Sequence, residues 1–328
     1  MSRVWIIVVN YRTATLTIDC LRALSAQVAE VGGSRVVVVD NNSGDGSVEK
    51  LTIAIEQEGW LEWASVISLD RNGGFAFGNN AGIGAAFSSP DRVDYVMLLN
   101  PDTVVRPGAI KALVAFMNSH PAVGIAGSLL ENAEGGVECS AHRKHSPLSE
   151  LDSGARLGLL SRLLSRYSVS PPPRSQAHPC DWVSGASMIV RRAVLEQIGL
   201  IDEGYFLYFE EADFCWRAKD AGWDIWYVPE SRVMHLEGAS TGIRANAKRR
   251  ARYWYDSRRR FFVKHYGVIG LATADILWTF GRTTLLFRRL FGLGGGSGGE
   301  DPACFMYDLL WGDLKSILTG QVLAIRRA

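Results

Sequence analysis

Five cysteines, Cys20, Cys139, Cys180, Cys215 and Cys304, are all that 328 residues contain, and no two form a CxxC pair. A disulfide framework and a cysteine-rich zinc site are excluded, and a reducing compartment is the expectation. An excess of one charge is missing too. With 35 Lys and Arg against 34 Asp and Glu, no global field recruits nucleic acid or membrane. No apolar run reaches the roughly 18 to 20 residues of a membrane span, and the nearest, Val268 to Phe287, carries Asp275 and Arg282. The opening residues, MSRVWIIVVNYR, lack a small-residue cleavage site and read as a strand, not a signal peptide. A GxGxxG loop does not follow the first strand, and a P-loop, a GxSxG elbow and an HExxH zinc pair are all absent. What remains is 47% hydrophobic and 21% charged, the composition of a folded chain long enough for about two domains.

The first 130 residues alternate strand and helix. Val4–Asn10, Arg35–Asn41, Val66–Leu69 and Tyr95–Asn100 are short apolar runs suited to strands covered on both faces. Helices are expected over Thr15 to Gln27, Ser47 to Glu58 and Gly78–Phe87, with another beginning at Pro107. Such repetition implies a mostly parallel sheet, whose ligands sit at the carboxyl ends of the strands. Residues 131–181 lose periodicity and read as a long loop with a short helix over Ala155–Tyr167, a candidate lid. Trp182–Val190 and Trp223–Pro229 are strand-like, Glu210–Ala221 suits a helix, and the chain from Arg244 is helical apart from the Gly-rich linker Gly294–Gly299.

Three strand ends carry polar groups. Asp40-Asn41-Asn42-Ser43 offers a carboxylate to a base N–H, although Asp and Asn are also ordinary turn residues. Asp70-Arg71-Asn72-Gly73-Gly74 pairs a phosphate-seeking arginine with glycines that permit close backbone approach. Asn100-Pro101-Asp102 places a carboxylate where it can hold a divalent cation on a diphosphate. Further on, Glu210-Glu211-Ala212-Asp213 follows the aromatic run Tyr205–Phe209. Acids suit a helix N-terminus, but aromatic walls also raise a carboxylate's proton affinity, as a base working near neutrality requires. Arg217 is the ion-pair partner for Asp213, which leaves Glu211 the freer acid. His235 gains a metal-binding role only beside such a site.

Taken in order, VVNYR, VVDNNSGDGS, NGGFAFGNN, LLNPDT, DWVSGASMIVRR, FLYFEEADFCWRAKDAGW and YVPESRVMHLEGAS resemble the inverting glycosyltransferase family 2, in its rhamnosyltransferase-like branch. The resemblance covers about residues 4–242 and implies an α/β fold of the GT-A nucleotide-diphosphosugar transferase type, with a mostly parallel central sheet and a C-terminal helical extension. It implies a catalytic domain over 1–243 and a basic, amphipathic region over 244–328. Donor binding falls to Asn10, Tyr11, Asp40, Asn42, Arg71, Asn72, Gly73, Gly74, Asn100 and Asp102. Asp40 reads the base, and Asn100 and Asp102 stand at the DxD position. Glu211 takes the place of the catalytic base, with Asp213 as the alternative. Trp182, Ser184 and Gly185 line the sugar and acceptor side. Mg²⁺ or Mn²⁺ is expected on Asp102, with His235 as a second contact. Asn100 replaces the first acid of DxD, and Glu211 is one methylene longer than the family's usual Asp. The implied donor is a dTDP- or UDP-sugar, dTDP-L-rhamnose first, and the acceptor is an oligosaccharide or a polyprenyl-diphosphate sugar at the inner face of a bacterial membrane. A sugar-nucleotide pyrophosphorylase is the rival enzyme, disfavoured because VVNYRTAT lacks a basic glycine-rich loop.

The even charge hides an uneven layout. Between Arg244 and Lys264 nine basic residues face one acid, Asp256, so this window is +8 and the rest of the chain −7. Interleaved aromatics there would suit a single-strand nucleic-acid binder, but the acidic remainder and the carboxylate motifs argue against one. An anionic membrane surface is the expected partner, with Arg258, Arg259 and Arg260 on headgroups. Packing on the sheet domain or a homo-oligomer contact is the other reading, and a cytoplasmic, membrane-peripheral protein is the expectation.

Overall fold

The computed structural model describes residues 2–236, 249–291 and 301–325, and these form two compact units. Arg244, Lys248 and the linker Gly294–Gly299 lie outside the described residues.

Unit 1 comprises the described residues of Met1–His142, Pro172–Phe206 and Glu210–Gly242. Its strands are β1 (Val4–Asn10), β2 (Arg35–Asp40), β3 (Ala64–Ser68), β4 (Tyr95–Leu99), β5 (Thr103–Val105), β6 (Val123–Glu131), β7 (Val137–Glu138), β8 (Ala141–His142), β9 (His178–Pro179), β10 (Trp182–Val183), β11 (Ser187–Arg191) and β12 (Asp224–His235). The main sheet runs β3-β2-β1-β4-β11-β6-β12-β5. β1 pairs in parallel with β2 and β4, and β6 with β12, while β11 runs against both β4 and β6. This is the mixed α/β architecture expected, with a mostly parallel sheet. Helices α1 (Ala14–Glu30), α2 (Ser47–Gln57), α3 (Gly74–Ser88) and α4 (Ala109–Ser119) connect the strands. One apolar cluster joins Leu21, Leu24, Leu51 and Leu113 to Ile6, Val8 and Met97, and a second joins Ile83 and Phe214 to Ile7 and Leu98. The alternating faces of β1 and β4 are thus buried on both sides, which is why those strands read as continuous apolar runs.

Two elements differ from the sequence reading. β6 is buried along all nine residues yet went unread, because Gly124, Gly127 and Ser128 interrupt its apolar run. A Cβ at Gly127 would lie 2.5 Å from Val183, so that interruption is what lets β10 pack close. α3 starts at Gly74, not Gly78. Asn72 Oδ1 accepts the Gly74 N–H at 3.0 Å, satisfying a donor at the helix start.

Unit 2 comprises the described residues of Arg143–Pro171, Leu207–Phe209 and Ile243–Ala328. Residues 143–171 are not irregular. They carry α5 (Pro147–Ala155), α6 (Gly158–Leu163) and a single 3-10 turn at Ser165–Tyr167 in place of one helix over Ala155–Tyr167. In unit 1 follow α7 (Arg192–Ile198) and α8 (Glu210–Asp220); in unit 2, α9 (Arg252–Leu290), α10 (Phe305–Leu318) and α11 (Gln321–Ile325). α9 breaks at Gly267, whose φ is +72°. α5 lies against α9 through glycines: a Cβ on Gly154 would sit 2.4 Å from Trp278 O, and one on Gly281 2.6 Å from Ala155 N.

The basic window is corrected by the structure. Arg258 is 1% exposed and holds Glu150 (2.9 Å), Asp275 (2.9 Å) and Asp313 (3.2 Å), while Arg259 holds Asp313 and Asp256. Arg249 pairs with Asp308. Four of these acids come from outside the window, so Arg258 and Arg259 form an internal ionic core and are not available to headgroups. Among the described residues no helix is long and apolar enough to cross a membrane.

Candidate active site

The carboxyl ends of β1, β2 and β4 gather most of the expected residues. Asn10 is fully buried; its Nδ2 donates to Asp40 Oδ1 at 2.7 Å, and its Oδ1 accepts from Thr17 Oγ1 at 3.0 Å. Asp40 also accepts from Ser43, from Oγ at 2.6 Å and from the backbone N–H at 3.0 Å. Both of its oxygens are therefore engaged within the loop, each keeping further lone pairs. Asn42, in left-handed conformation (φ 57°), donates to Asp70 O at 3.0 Å. Asn41, named in the strand-end motif but not among the expected donor-binding residues, stitches the two loops together by donating to Asn72 Oδ1 (3.1 Å) and Gly74 O (2.9 Å). Tyr11 and Arg71 are exposed, Arg12 lying over the Tyr11 ring and Arg71 over Phe77.

Gly74 admits no other residue. Its φ is +87°, and a Cβ there would lie 2.0 Å from Phe206 O, which also accepts the Phe75 N–H at 2.8 Å. Phe75 in turn faces Gly185, where a Cβ would meet the Phe75 ring at 3.2 Å and Glu211 Cβ at 3.9 Å. The NGGF loop, the WVSGAS segment and Glu211 thus meet at one place. Ser184 Oγ accepts the Ala186 N–H at 3.3 Å, and Trp182 stacks on His142 at 3.9 Å.

Asn100, Asp102 and His235 come together across the β5–β12 pairing, in which His235 lies opposite Thr103. His235 Nε2 is 3.4 Å from Asp102 Oδ1 and 3.3 Å from Asn100 Nδ2. Two atoms bound to one ion at about 2.0–2.2 Å lie about 3 Å apart, so this carboxylate and imidazole fit a shared divalent cation. Among the described residues no group of three or more His, Cys, Asp or Glu side chains surrounds such an ion. The remaining positions would fall to water and ligand oxygens.

α8 opens on Glu210 and Glu211, whose Oε2 atoms are buried with no hydrogen-bond partner among the described residues. Burial pushes Glu211 up to about 7, and burial together with the neighbouring Glu211 pushes Glu210 well above the usual range. The helix dipole favours their charged forms but is outweighed by desolvation. Just before them, Tyr208 and Phe209 both have positive φ (74° and 70°), a conformation that costs on the order of 1–3 kcal/mol per non-glycine residue and recurs at functional sites. Asp213 is different. It is fully buried, accepts from Arg217 Nε at 3.0 Å and from Tyr205 OH at 3.4 Å, and so is spent on structure.

A profile of the glycosyltransferase-like family 2 matches residues 2–257. The chain belongs to that family. Within this family it is 34% identical over 154 residues to an N-acetylglucosaminyl-diphospho-decaprenol L-rhamnosyltransferase of Mycobacterium tuberculosis, covering 45% of this chain and 49% of that one. The chain thus spans about half the length of the mycobacterial relative. It is 23% identical over 293 residues to the dTDP-rhamnosyl transferase RfbF of Shigella flexneri, covering 87% and 88% of the two chains. Among solved structures, the mannosyltransferase PcManGT from Pyrobaculum calidifontis in complex with GDP-Man and Mn²⁺ superposes with TM-score 0.55 at 15% identity, over 98% of this chain and 80% of that one. S. aureus TarS 1–349 gives 0.52 at 17% identity, over 99% and 83%. These likenesses establish the GT-A glycosyltransferase fold for this family member.

Proposed function

We propose that this family 2 protein is an inverting glycosyltransferase that moves L-rhamnose from dTDP-rhamnose to a polyprenyl-diphosphate-linked sugar. The observation that carries the reading is Glu211, a carboxylate raised to about 7 with an unpartnered oxygen, beside the glycine loops that end the strands. Glu211 takes the proton of an acceptor hydroxyl as that oxygen attacks the anomeric carbon, and the bond to the diphosphate breaks on the opposite face. Asp40 reads the base with its remaining lone pairs, and Arg71 and the Gly73–Gly74 backbone approach the phosphates. Asp102 and His235 would hold Mg²⁺ or Mn²⁺, which supplies charge neutralisation to the leaving diphosphate. Trp182, Ser184 and Gly185 line the acceptor side. The names of the mycobacterial and Shigella relatives support the choice of sugar and of lipid carrier. Calorimetry with dTDP and Mn²⁺ tests the donor site: Asp102→Ala should abolish the Mn²⁺-dependent part of binding, and equal affinities in the two proteins would remove Asp102 from it.

The acceptor's lipid places the protein at the cytoplasmic face of a membrane. In unit 2, Ile276, Phe280 and Phe287 form an exposed stripe on α9, and Tyr307, Trp311 and Leu318 one on α10. Arg289 and Lys315 are exposed on the same helices, so they replace Arg258 and Arg259 as headgroup contacts. Co-sedimentation should show binding to anionic vesicles that falls with salt and is lost in Phe280→Glu/Phe287→Glu. Self-association without vesicle binding would assign the stripes to a homo-oligomer instead.

A further inference from the structure

Unit 2 holds a cavity of about 490 Å³ lined by none of the residues given a role in the transfer reaction. Its lining includes Arg258, whose charge is met by Glu150, Asp275 and Asp313. Asp152, on the wall, accepts from Ser161 Oγ at 2.6 Å. Arg156, Arg250 and Arg282 also line it. Asp301 is divided between two of them, 3.2 Å from Arg156 Nη2 and 3.1 Å from Arg282 Nε. Arg282 is 4% exposed, and its burial together with the charges of Arg156 and Arg289 lowers its pKa. Arg250 has no ion pair among the described residues. Its guanidinium lies on the faces of Trp254 (4.6 Å) and Phe305 (5.8 Å), and its buried Nε has no hydrogen-bond partner.

This arrangement selects a ligand class. Aromatic walls are the usual platform for a sugar, but here the faces of Trp254 and Trp278 are covered by Arg250 and Arg282. The lining carries Arg156, Arg250, Arg258 and Arg282 against the carboxylates Glu150, Asp152 and Asp301, and guanidinium forks match the several acceptor oxygens of a phosphate. The cavity is larger than a bare phosphate needs and falls in the range of organic-ligand pockets. Phe305 and Leu309 supply apolar wall beside the arginines.

We propose that this cavity binds a phosphate or diphosphate group, carried by a lipid ester or free, at Arg156, Arg250 and Arg282. The inference stands independently of the transferase reading, because every residue in it belongs to unit 2. The test is calorimetry on the full chain without divalent cations, using geranyl diphosphate and inorganic diphosphate as probes. Arg250→Gln should weaken binding about tenfold or more, the range for a hydrogen bond to a charged group, and Arg250→Lys should restore part of it. Asp102→Ala, in unit 1, should leave it unchanged, separating this site from the donor site. Geranyl diphosphate binding more tightly than inorganic diphosphate assigns a lipid ester; equal, Arg250-dependent affinities assign the free anion. Arg250→Gln gives up its contacts with the Trp254 and Phe305 faces but no ion pair among the described residues, so it should still fold cooperatively, and Arg282→Lys serves as a second folded variant. Unchanged affinity in Arg250→Gln, or no binding of either probe to the parent, overturns the proposal.

Discussion

Glu211→Gln is expected to lower turnover by roughly 10²–10⁴-fold while dTDP and Mn²⁺ still bind. The amide keeps the shape and hydrogen-bonding size of the acid but cannot take the acceptor's proton. The pH profile carries the same information in a second form. A base must be deprotonated to act, and burial holds Glu211 near 7, so the rate should rise with pH through about 7 and level off above it. Glu210 is also raised, and the two acids titrate as a pair whose apparent values belong to both. Stability moves the other way. A carboxyl whose folded value lies above its unfolded value contributes most below about 4.5, and that contribution is lost as pH rises through about 7. Rising activity and falling stability over one pH interval is the signature to look for. If Asp213→Asn were inactive and Glu211→Gln active, the base would have to be reassigned, against the Arg217 and Tyr205 contacts that now occupy Asp213.

Arg258→Met should destabilise unit 2 by about 3–5 kcal/mol in urea denaturation, the cost of breaking a buried ionic network by removing one partner. Glu150, Asp275 and Asp313 would be left facing one another around an apolar side chain. Burial already pushes Asp275 up to about 7 against the pull of Arg258, so the loss should be smaller at acid pH, where Asp275 is neutral, and larger above 7. A loss below about 1 kcal/mol at pH 8 would show that the network is not a structural core. The triple variant Arg258→Met, Asp275→Leu, Asp313→Leu should recover part of the loss, because it removes two of the three acids left facing the apolar side chain, while Glu150 stays and, among the described residues, Arg259 keeps only Asp256.

How much of this was readable from the residues follows from what each signal depends on. The apolar runs of β1, β2 and β4 and the polar residues at their ends are local signals, and the strand-end rule placed Asn10, Asp40, Asn100 and Asp102 on one side of the sheet. Glycine-rich β6 gave no such signal, because its identity as a strand rests on its pairing with β11 and β12. The basic window misled for the same reason at longer range. Charge counting sees only neighbours in sequence, whereas Glu150 and Asp313 reach Arg258 from α5 and α10, and Asp275 from beyond the break in α9. Glu211 was legible by its aromatic surroundings, but the left-handed backbone at Tyr208 and Phe209 was not. Nothing in their side chains announces a conformation that local sterics disfavour.

Among the described residues the short strand β5 has only β12 as its neighbour in the sheet, and that pairing joins Asn100 and Asp102 to His235, with Asn100 and His235 135 residues apart in sequence. Non-local pairings are slow to form because chain-closure entropy is lost before their contacts are gained. β1, β2 and β3 need only the first seventy residues to pair with one another. During refolding, then, the loops around Asn10, Asp40 and Asn72 are set early, while Asp102 waits for the last strand of unit 1 to dock before it meets its imidazole. The proposed nucleoside pocket is thus built from pairings close in sequence, and the proposed diphosphate clamp from a distant one.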